Sequence, residues 1–377
     1  MKIKILFLGT KGIPNTHGGY ERFVEKLAPY LAKYKFDVEV VCPHCQDYKK
    51  ETYDGVKLKY LFNFEKKIGA VGNLIYDFFS LLYSCIGGRK IIYMCAYTSA
   101  IFLWLPRIFT PNSILVTNMD GLEWKRSKYA KWQQKYLHFC EKLAIMFSHY
   151  AIADGEGIMK YLSEKYPQYC KKFVQYEYGT EYPVTRFDES ILTKHNLKKY
   201  EYMLLVARIE PENNIEMIIE GVRMSNVKIP LLIVGPLNTP HANYLSTKYS
   251  DKKIIFVDGV YDEVQLFTLR KYTRINFHGH SVGGTNPSLL EALSVGRVVI
   301  VHDNVFNRGV VGKKGLIVFK DKSELMERLK MILPNKDIDH SADYSQRVKL
   351  NFTWEIINKK YKDWFDSLVI NKEDSLA

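Results

Sequence analysis

Residues 280–296 read HSVGGTNPSLLEALSVG, which puts two adjacent glycines, an Asn-Pro pair and a lone acid into one short stretch. Asn286 suits a helix N-cap and Pro287 the first helical position. A helix start leaves backbone N–H groups unpaired and carries the positive end of the dipole. Gly283 and Gly284 would let an anion approach the backbone closely, and that combination favours phosphate. Glu291 lies one turn deeper, where a carboxylate could accept bonds from the hydroxyls of a ribose. The alternative is a capped helix after a tight turn, with Glu291 on a solvated face.

Three further stretches are of the same kind. In VARIEPENNIEMIIEG (206–221), Arg208 ends a strand. There a guanidinium can fork onto a diphosphate, or make a surface salt bridge. In GTKGIPNTHGGYERF (9–23), Gly18 and Gly19 precede an amphipathic helix. The spacing is neither G-x-G-x-x-G nor a P-loop, so a phosphate-cradling turn and a plain turn both fit. In TNMDGLEWKRSKYAKW (117–132), Asp120 just follows a strand. It could orient a sugar hydroxyl, act as a base, or be a buried turn residue. Lys125, Lys128, Trp132 and Lys135 then recur at helical spacing, a stripe suited to anionic headgroups, a pyrophosphate or plain solvent.

Two other patterns carry chemistry in other proteins. Cys42 and Cys45 form a C-x-x-C beside a strand, compatible with a thiol redox pair or with ordinary cysteines. No second C-x-x-C is present to complete a zinc site. Asp337 and Asp339 form a D-x-D, but it follows a helical segment rather than a strand, so no metal site is expected.

Elements must hold these residues. Near-continuous apolar strands are expected at 2–9, 37–42, 56–62, 90–95, 113–118, 149–153 and 172–177. A second series is expected at 202–207, 230–235, 253–258, 274–278, 297–302 and 316–319. Helical patterns intervene at 19–34, 124–148, 214–224, 262–272 and 287–295. Such alternation implies parallel sheets covered on both faces. The chain therefore reads as α/β, with two doubly wound Rossmann-like domains and a hinge near 178–200. Ligands bind beyond the carboxyl ends of such strands, so two domains facing each other would frame a cleft lined by these glycine-rich loops.

At 377 residues, 47% hydrophobic and 25% charged, the chain is a folded protein of more than one core. Its net charge is +13, of which +9 falls in residues 1–185 and +4 in 186–377. Anionic membrane, a phosphate-bearing ligand or nucleic acid could explain the excess. No helix-turn-helix, RRM or zinc-finger pattern favours nucleic acid. The start MKIKILFLGTKG is too short in apolar residues for a secretion signal and reads as a first strand. No stretch of about 20 apolar residues appears. Residues 74–87 and 99–109 are strongly apolar, interrupted by Asp77 and Pro106, and read as buried helices, or else as contacts with a membrane interface.

The stretches GTKGIPNTHGGYERFVEKL, NMDGLEWKR, IEPENNIEMIIEG and HGHSVGGTNPSLLEAL together resemble the GT-B fold retaining glycosyltransferases of the family-4 type. Within them the chain is similar to bacterial rhamnosyltransferases of surface polysaccharide (capsule) assembly. The resemblance runs over nearly the whole length. It implies an acceptor-side domain at 1–182, a nucleotide-sugar-binding domain at 183–352, and a crossover helix at 353–377 returning to the first domain. It further implies that Arg208 binds the donor diphosphate and Glu291 the ribose. The loop with Gly283, Gly284, Thr285, Asn286, Ser288 and Leu289 would hold phosphate and sugar, with Asn213, Gly18 and Gly19 nearby. Asp120, Arg208 and Glu291 would be the catalytic set. Such enzymes need no metal. Two departures stand out: Gly283 occupies the place of a usual glutamate, and Asn213 that of a usual lysine. Both fit the rhamnosyltransferase-like group, whose donor is typically dTDP-L-rhamnose. The implied acceptor is a glycan on a polyprenyl diphosphate, at the inner face of the cell membrane, with a cytoplasmic, peripherally bound enzyme. Alternatives are a different nucleotide-sugar donor, a sugar-nucleotide epimerase, a thiol oxidoreductase, or a basic nucleic-acid-binding protein.

Overall fold

The computed structural model describes residues 2–16, 18–88, 90–126 and 128–374. The final residues expected in the crossover helix, 375–377, lie outside the described residues. The chain divides into two units. The first holds residues up to Trp124, then Lys131–Tyr178 and the segment from Trp354 onward; the second holds Lys125–Ala130 and Gly179–Thr353.

The first unit is built on β1 (Ile3–Leu8), β2 (Phe36–Pro43), β3 (Thr52–Tyr53), β4 (Val56–Leu61), β5 (Ile91–Met94), β6 (Ile114–Asn118), β7 (Tyr150–Ala153) and β8 (Phe173–Gln175). Their order is β3-β4-β2-β1-β5-β6-β7-β8. All pairs are parallel except β3 with β4, a short hairpin that the sequence pattern does not reveal. Helix α1 (Gly19–Ala32) lays Phe23, Val24, Leu27 and Leu31 against the sheet. Helix α2 (Ala70–Ser84) and helix α3 (Lys131–Phe147) follow. The residues 125–130 are therefore not the first turns of one long helix. The expected stripe of Lys125, Lys128, Trp132 and Lys135 is broken, because Lys125 ends a short 3-10 turn and α3 starts at Lys131.

The second unit holds β9 (Met203–Val206), β10 (Leu231–Val234), β11 (Ile254–Val257), β12 (Ile275–His278), β13 (Val299–His302) and β14 (Ile317–Phe319), ordered β11-β10-β9-β12-β13-β14 and all parallel. Alternate side chains serve opposite faces, as the two-residue strand period requires. Met203, Leu205, Leu231 and Ile233 enter one core cluster, whereas Tyr202, Leu204, Leu232 and Val234 enter the other. With apolar residues on both faces, each strand reads as an unbroken run and must be covered by helices on both sides. The covers used below are α4 (Ile215–Ser225), α5 (Glu263–Tyr272), α6 (Pro287–Val295) and α7 (Val305–Val311).

The last helix, α9 in an order that counts α8 as Lys322–Ile332, spans Trp354–Asp374 and belongs to the first unit. Tyr361 and Phe365 are buried there, the Tyr361 ring 5.1 Å from Phe23, and Asn358 Nδ2 donates to Lys26 O at 3.1 Å. No described helix is long and apolar enough to cross a membrane.

Candidate donor-binding site of the second unit

In the second sheet the strand order reverses between β9 and β12. The chain leaves β9 towards β10 on one side and leaves β12 towards β13 on the other. Loops that part in this way open a crevice at the carboxyl ends of the strands, the usual ligand position in doubly wound sheets. The two loops concerned are 207–214 and 279–286. They carry Arg208, Asn213 and the glycine pair singled out from the sequence.

Backbone contacts lock the two loops together. Asn214 sits in the left-handed region with φ of 51° and donates Nδ2 to Gly279 O at 2.8 Å. A Cβ at Gly279 would lie 2.2 Å from Asn213 O, so only glycine permits this approach. Ser281 donates both its N–H and its hydroxyl to Glu212 O, at 3.1 and 2.8 Å. From the other side, Asn304 and Asn307 both donate amide hydrogens to His280 O, at 2.9 and 3.0 Å. The anchored part of the loop ends at Ser281. Beyond it Gly283 has φ of +143°, and a Cβ there would meet open space. Among the described residues, the Gly283 and Gly284 N–H groups donate to no protein acceptor. These loop amides are what an anion would find.

The start of α6 differs from the expectation of bare helix amides. Asn286 Oδ1 accepts from Ser288 N at 2.9 Å, and Asn286 O accepts from Leu289 N at 3.0 Å. Pro287 has no N–H to offer. The helix thus satisfies its own first turn, and the unpaired donors lie just before it. Leu289 is fully buried, so its side chain serves the core. Thr285 is also buried. Ser288 donates its hydroxyl to Val206 O at 2.8 Å and ties α6 to the end of β9. Asn213 is buried and donates Nδ2 to Arg208 O at 2.7 Å, which fixes the backbone beneath Arg208. Arg208 itself is exposed.

Glu291 does not stand on a merely solvated face. Arg270 of α5, only 2% exposed, donates Nη2 to Glu291 Oε2 at 3.0 Å and to Ser288 Oγ at 2.9 Å. Burial pulls the Arg270 guanidinium down, and the Glu291 carboxylate opposes that shift. Glu291 retains 29% side-chain exposure, so one oxygen is held by Arg270 while the side chain still reaches the surface. Sequence reasoning missed Arg270, because an arginine in the last turn of an amphipathic helix looks like an ordinary surface charge.

Two histidines were missed as well. His278 and His280 stack with ring centroids 4.3 Å apart and planes 9° apart. His278 is buried, and among the described residues neither its Nε2 nor His280 Nδ1 has a hydrogen-bond partner. Burial, with help from the Arg126 and Arg208 cations, pushes His280 down to about 3. Both imidazoles are neutral at physiological pH. Arg126, on the segment 125–130 that groups with this unit, lies 3.8 Å from Glu212. Two guanidinium groups therefore bear on this end of the sheet, a field that favours a polyanion.

In the first unit, Asp120 follows β6 with φ of 46°, its N–H donating to Asn118 Oδ1 at 2.8 Å. Burial, and next the Asp120 carboxylate, push the Tyr20 phenol well up. Asp120 thus lies near the first turn of α1, with Gly18 and Gly19. That turn is lined by acids. Glu21 Oε1 accepts from Lys11 N at 2.8 Å, Glu25 Oε1 accepts from Asn15 N at 2.9 Å, and Glu21 Oε2 is 3.3 Å from where a Gly18 Cβ would sit. The loop is folded around carboxylates, so a phosphate-cradling role does not follow from its geometry. Cys42 is buried and its thiol is pushed up to about 11 by that burial, while Cys45 is exposed. A thiol so raised is a poor nucleophile. Asp339 accepts from Arg297 Nε at 2.7 Å and from Ser341 N at 2.9 Å, which gives half of the D-x-D a structural task. Among the described residues no group of three His, Cys, Asp or Glu could hold a metal ion.

Each unit matches a family model. Residues 187–350 match the family model described as glycosyl transferases group 1. Residues 2–181 match one described as a domain of unknown function, DUF1972. The chain is similar in fold to sucrose-phosphate synthase from Thermosynechococcus elongatus, with a TM-score of 0.79, 15% identity, and coverage of 98% of this chain and 100% of that one. It is similar to Anabaena HepE in complex with UDP-glucose, with a TM-score of 0.74, 13% identity, and coverage of 97% and 100%. It is also similar to α,α-trehalose 6-phosphate synthase from Burkholderia multivorans, with a TM-score of 0.72, 11% identity, and coverage of 100% and 99%. Comparison with curated proteins finds no match. The solved structures share the two-domain GT-B fold of this chain, and residues 187–350 match the glycosyl transferases group 1 model.

Proposed function

We propose that the protein transfers a sugar, L-rhamnose from dTDP-L-rhamnose, to a nascent polysaccharide acceptor carried on a polyprenyl diphosphate, with retention of anomeric configuration. What supports this reading is that the loops carrying Arg208 and Gly283–Gly284 leave the adjacent strands β9 and β12 where the strand order reverses, and that Ser288, one turn before Glu291, donates to Val206 O. UDP-glucose in the HepE structure supports a nucleotide sugar as the donor class. The choice of rhamnose and of dTDP rests on the sequence resemblance, including Gly283 and Asn213 at the two departures.

In this proposal Arg208 forks onto the donor diphosphate and the loop amides take the remaining phosphate oxygens. Glu291, steadied by Arg270, accepts from the ribose. The diphosphate leaves from the face that the acceptor enters, and takes the acceptor proton as it goes. Fixed cationic and N–H donors stabilise the charge that develops on the leaving group. The first unit is assigned to the acceptor, with Asp120 orienting its hydroxyl and Gly18 and Gly19 close to the donor phosphates. No metal is required by this scheme. The enzyme would work as a peripheral protein on the cytoplasmic face of the membrane.

The test is thermal stabilisation by a panel of nucleoside diphosphates and nucleotide sugars. A ligand at one hundred times its Kd raises stability by about 2.7 kcal/mol. That corresponds to a rise of roughly 5–10 °C in Tm for units of this size. dTDP and dTDP-rhamnose should give the largest shift, and Arg208→Ala should remove most of it. No shift with any nucleoside diphosphate would overturn the site. A larger shift with UDP-glucose would overturn the donor.

A further inference from the structure

Helix α2 buries polar groups while leaving apolar ones outside. Beside Tyr76 and Leu81, its core-facing side carries Asp77, Ser80 and Ser84, all buried, whereas Phe79 and Leu82 face outward at 45% and 43% exposure. Buried polar groups cost free energy unless bonded, and these three are bonded. Ser99 donates to Asp77, Ser80 to Tyr76 O, and Ser84 to Leu81 O. The expectation of an apolar helix buried in the core is thus reversed for its outer side. Just past the helix Ile86 is 58% exposed. Phe62 and Phe64, after β4, and Phe109, at the end of the segment 99–109, complete an open groove of about 760 Å³ with Phe79, Leu82 and Ile86 along its floor and walls. All of it lies within the first unit.

Lysines border the groove. Lys59 Nζ sits 5.3 Å over the ring of Tyr83, itself a groove residue. Lys4 Nζ donates to Gly87 O, next to Ile86, at 3.1 Å. Lys66 and Lys67 are exposed on the short helix that follows Phe64. Two acids of this region are already engaged: Glu39 accepts from Tyr83 and Glu65 pairs with Lys11. A contiguous apolar patch of this kind on a protein surface marks an interaction site. Exposed aromatic and aliphatic side chains bordered by lysines match one chemistry: a hydrocarbon interior whose surface carries anionic headgroups.

We propose that this groove docks the protein on an anionic bilayer, with Phe79, Ile86 and Phe109 entering the hydrocarbon and Lys4, Lys59, Lys66 and Lys67 meeting the headgroups. The inference rests on the proposed function only in that a polyprenyl-linked acceptor would lie in the same membrane. A protein seated by this face presents its first unit, the one assigned to the acceptor, to the lipid.

The experiment is co-sedimentation of the full chain with phosphatidylcholine vesicles, with and without phosphatidylglycerol. Binding is expected only with phosphatidylglycerol, and it should weaken as salt screens the headgroups. Phe79→Ser with Ile86→Ser should abolish it at unchanged Tm, since both side chains are exposed. Lys4→Glu and Lys59→Glu each remove a surface cation, so each should weaken binding about fivefold or more. The proposal is overturned if anionic vesicles do not bind the protein, or if the serine variant binds them as well as the parent. It is also overturned if the protein self-associates in solution and the same serines abolish that, because the groove then seats a second copy. Failure here with an intact dTDP shift leaves the donor site standing. Vesicle binding without any nucleotide shift leaves the groove standing and removes the donor site.

Discussion

Replacing Glu291 tests the arrangement most directly, and the structure warns that a simple alanine will mislead. Arg270 is 2% exposed and spends Nη2 on Glu291 and Ser288. Removing the carboxylate strands a buried cation. Breaking a buried ion pair from one side costs about 3–5 kcal/mol. Glu291 keeps 29% exposure, which puts Glu291→Ala near the low end, about 3 kcal/mol. At 2–4 °C per kcal/mol the Tm should fall by roughly 6–12 °C. The double variant Arg270→Met with Glu291→Leu removes both charges and should come back to within about 1 kcal/mol of the parent. Chemical denaturation of the parent, both singles and the double gives the coupling, expected at about 1.5 kcal/mol or more. If Glu291→Leu costs under about 1 kcal/mol and adds to Arg270→Met without coupling, Arg270 is not what holds Glu291. The double variant also separates two meanings of lost nucleotide binding. A stable double variant that no longer shifts with dTDP places Glu291 on the ligand; one that still shifts makes Glu291 a strut.

Other outcomes are expected. Burial, partly offset by the Ser99 hydroxyl, pushes the Asp77 carboxyl up to about 6. A raised carboxyl binds more protons folded than unfolded, so its stability contribution is full below the unfolded pKa near 3.8 and is lost as pH rises through about 6. Asp77→Asn should therefore stabilise the protein at pH 7 by up to about 3 kcal/mol and flatten the melting profile between pH 4 and 7, measured by calorimetry. An unchanged slope would show that Asp77 stays ionised. Mass spectrometry after brief alkylation should find Cys45 modified and Cys42 spared, and replacing both by serine should leave glycosyl transfer intact. Gly283→Glu would restore the side chain usual at that position, yet its φ of +143° is one that L residues rarely adopt. It should cost about 1–3 kcal/mol in stability, and gain of a UDP-hexose donor would contradict the backbone argument.

Much of this was legible in the chain. The unbroken apolar runs marked parallel strands, and Asn286-Pro287 marked the start of α6 at the residue where it begins. Arg208 and the Gly283–Gly284 loop could be assigned to strand ends, which in a doubly wound sheet already places them together. What stayed hidden depends on tertiary company. Nothing local distinguishes Arg270, buried beneath Glu291, from Lys271 beside it. The amides at the start of α6 looked open, because sequence shows that Asn286 can cap but not that Ser288 and Leu289 leave nothing spare. For helix α2 the sequence left burial and membrane contact both open, because hydropathy counts apolar residues without knowing which face meets the core. The β3–β4 hairpin is too short to register as a period.

The chain path through the first unit has a consequence for biogenesis. Its sheet is finished by residue 175, but the helix that carries Tyr361 and Phe365 onto Phe23 and Tyr93 comes after the entire second unit. During translation the earlier-made half must wait, with that aromatic seam uncovered, until the later-made half has left the ribosome. A fragment ending at the first boundary would carry the seam bare, whereas residues 179–353, apart from the excursion at 125–130, form a continuous piece. Chaperone dependence should accordingly track the amino-terminal half.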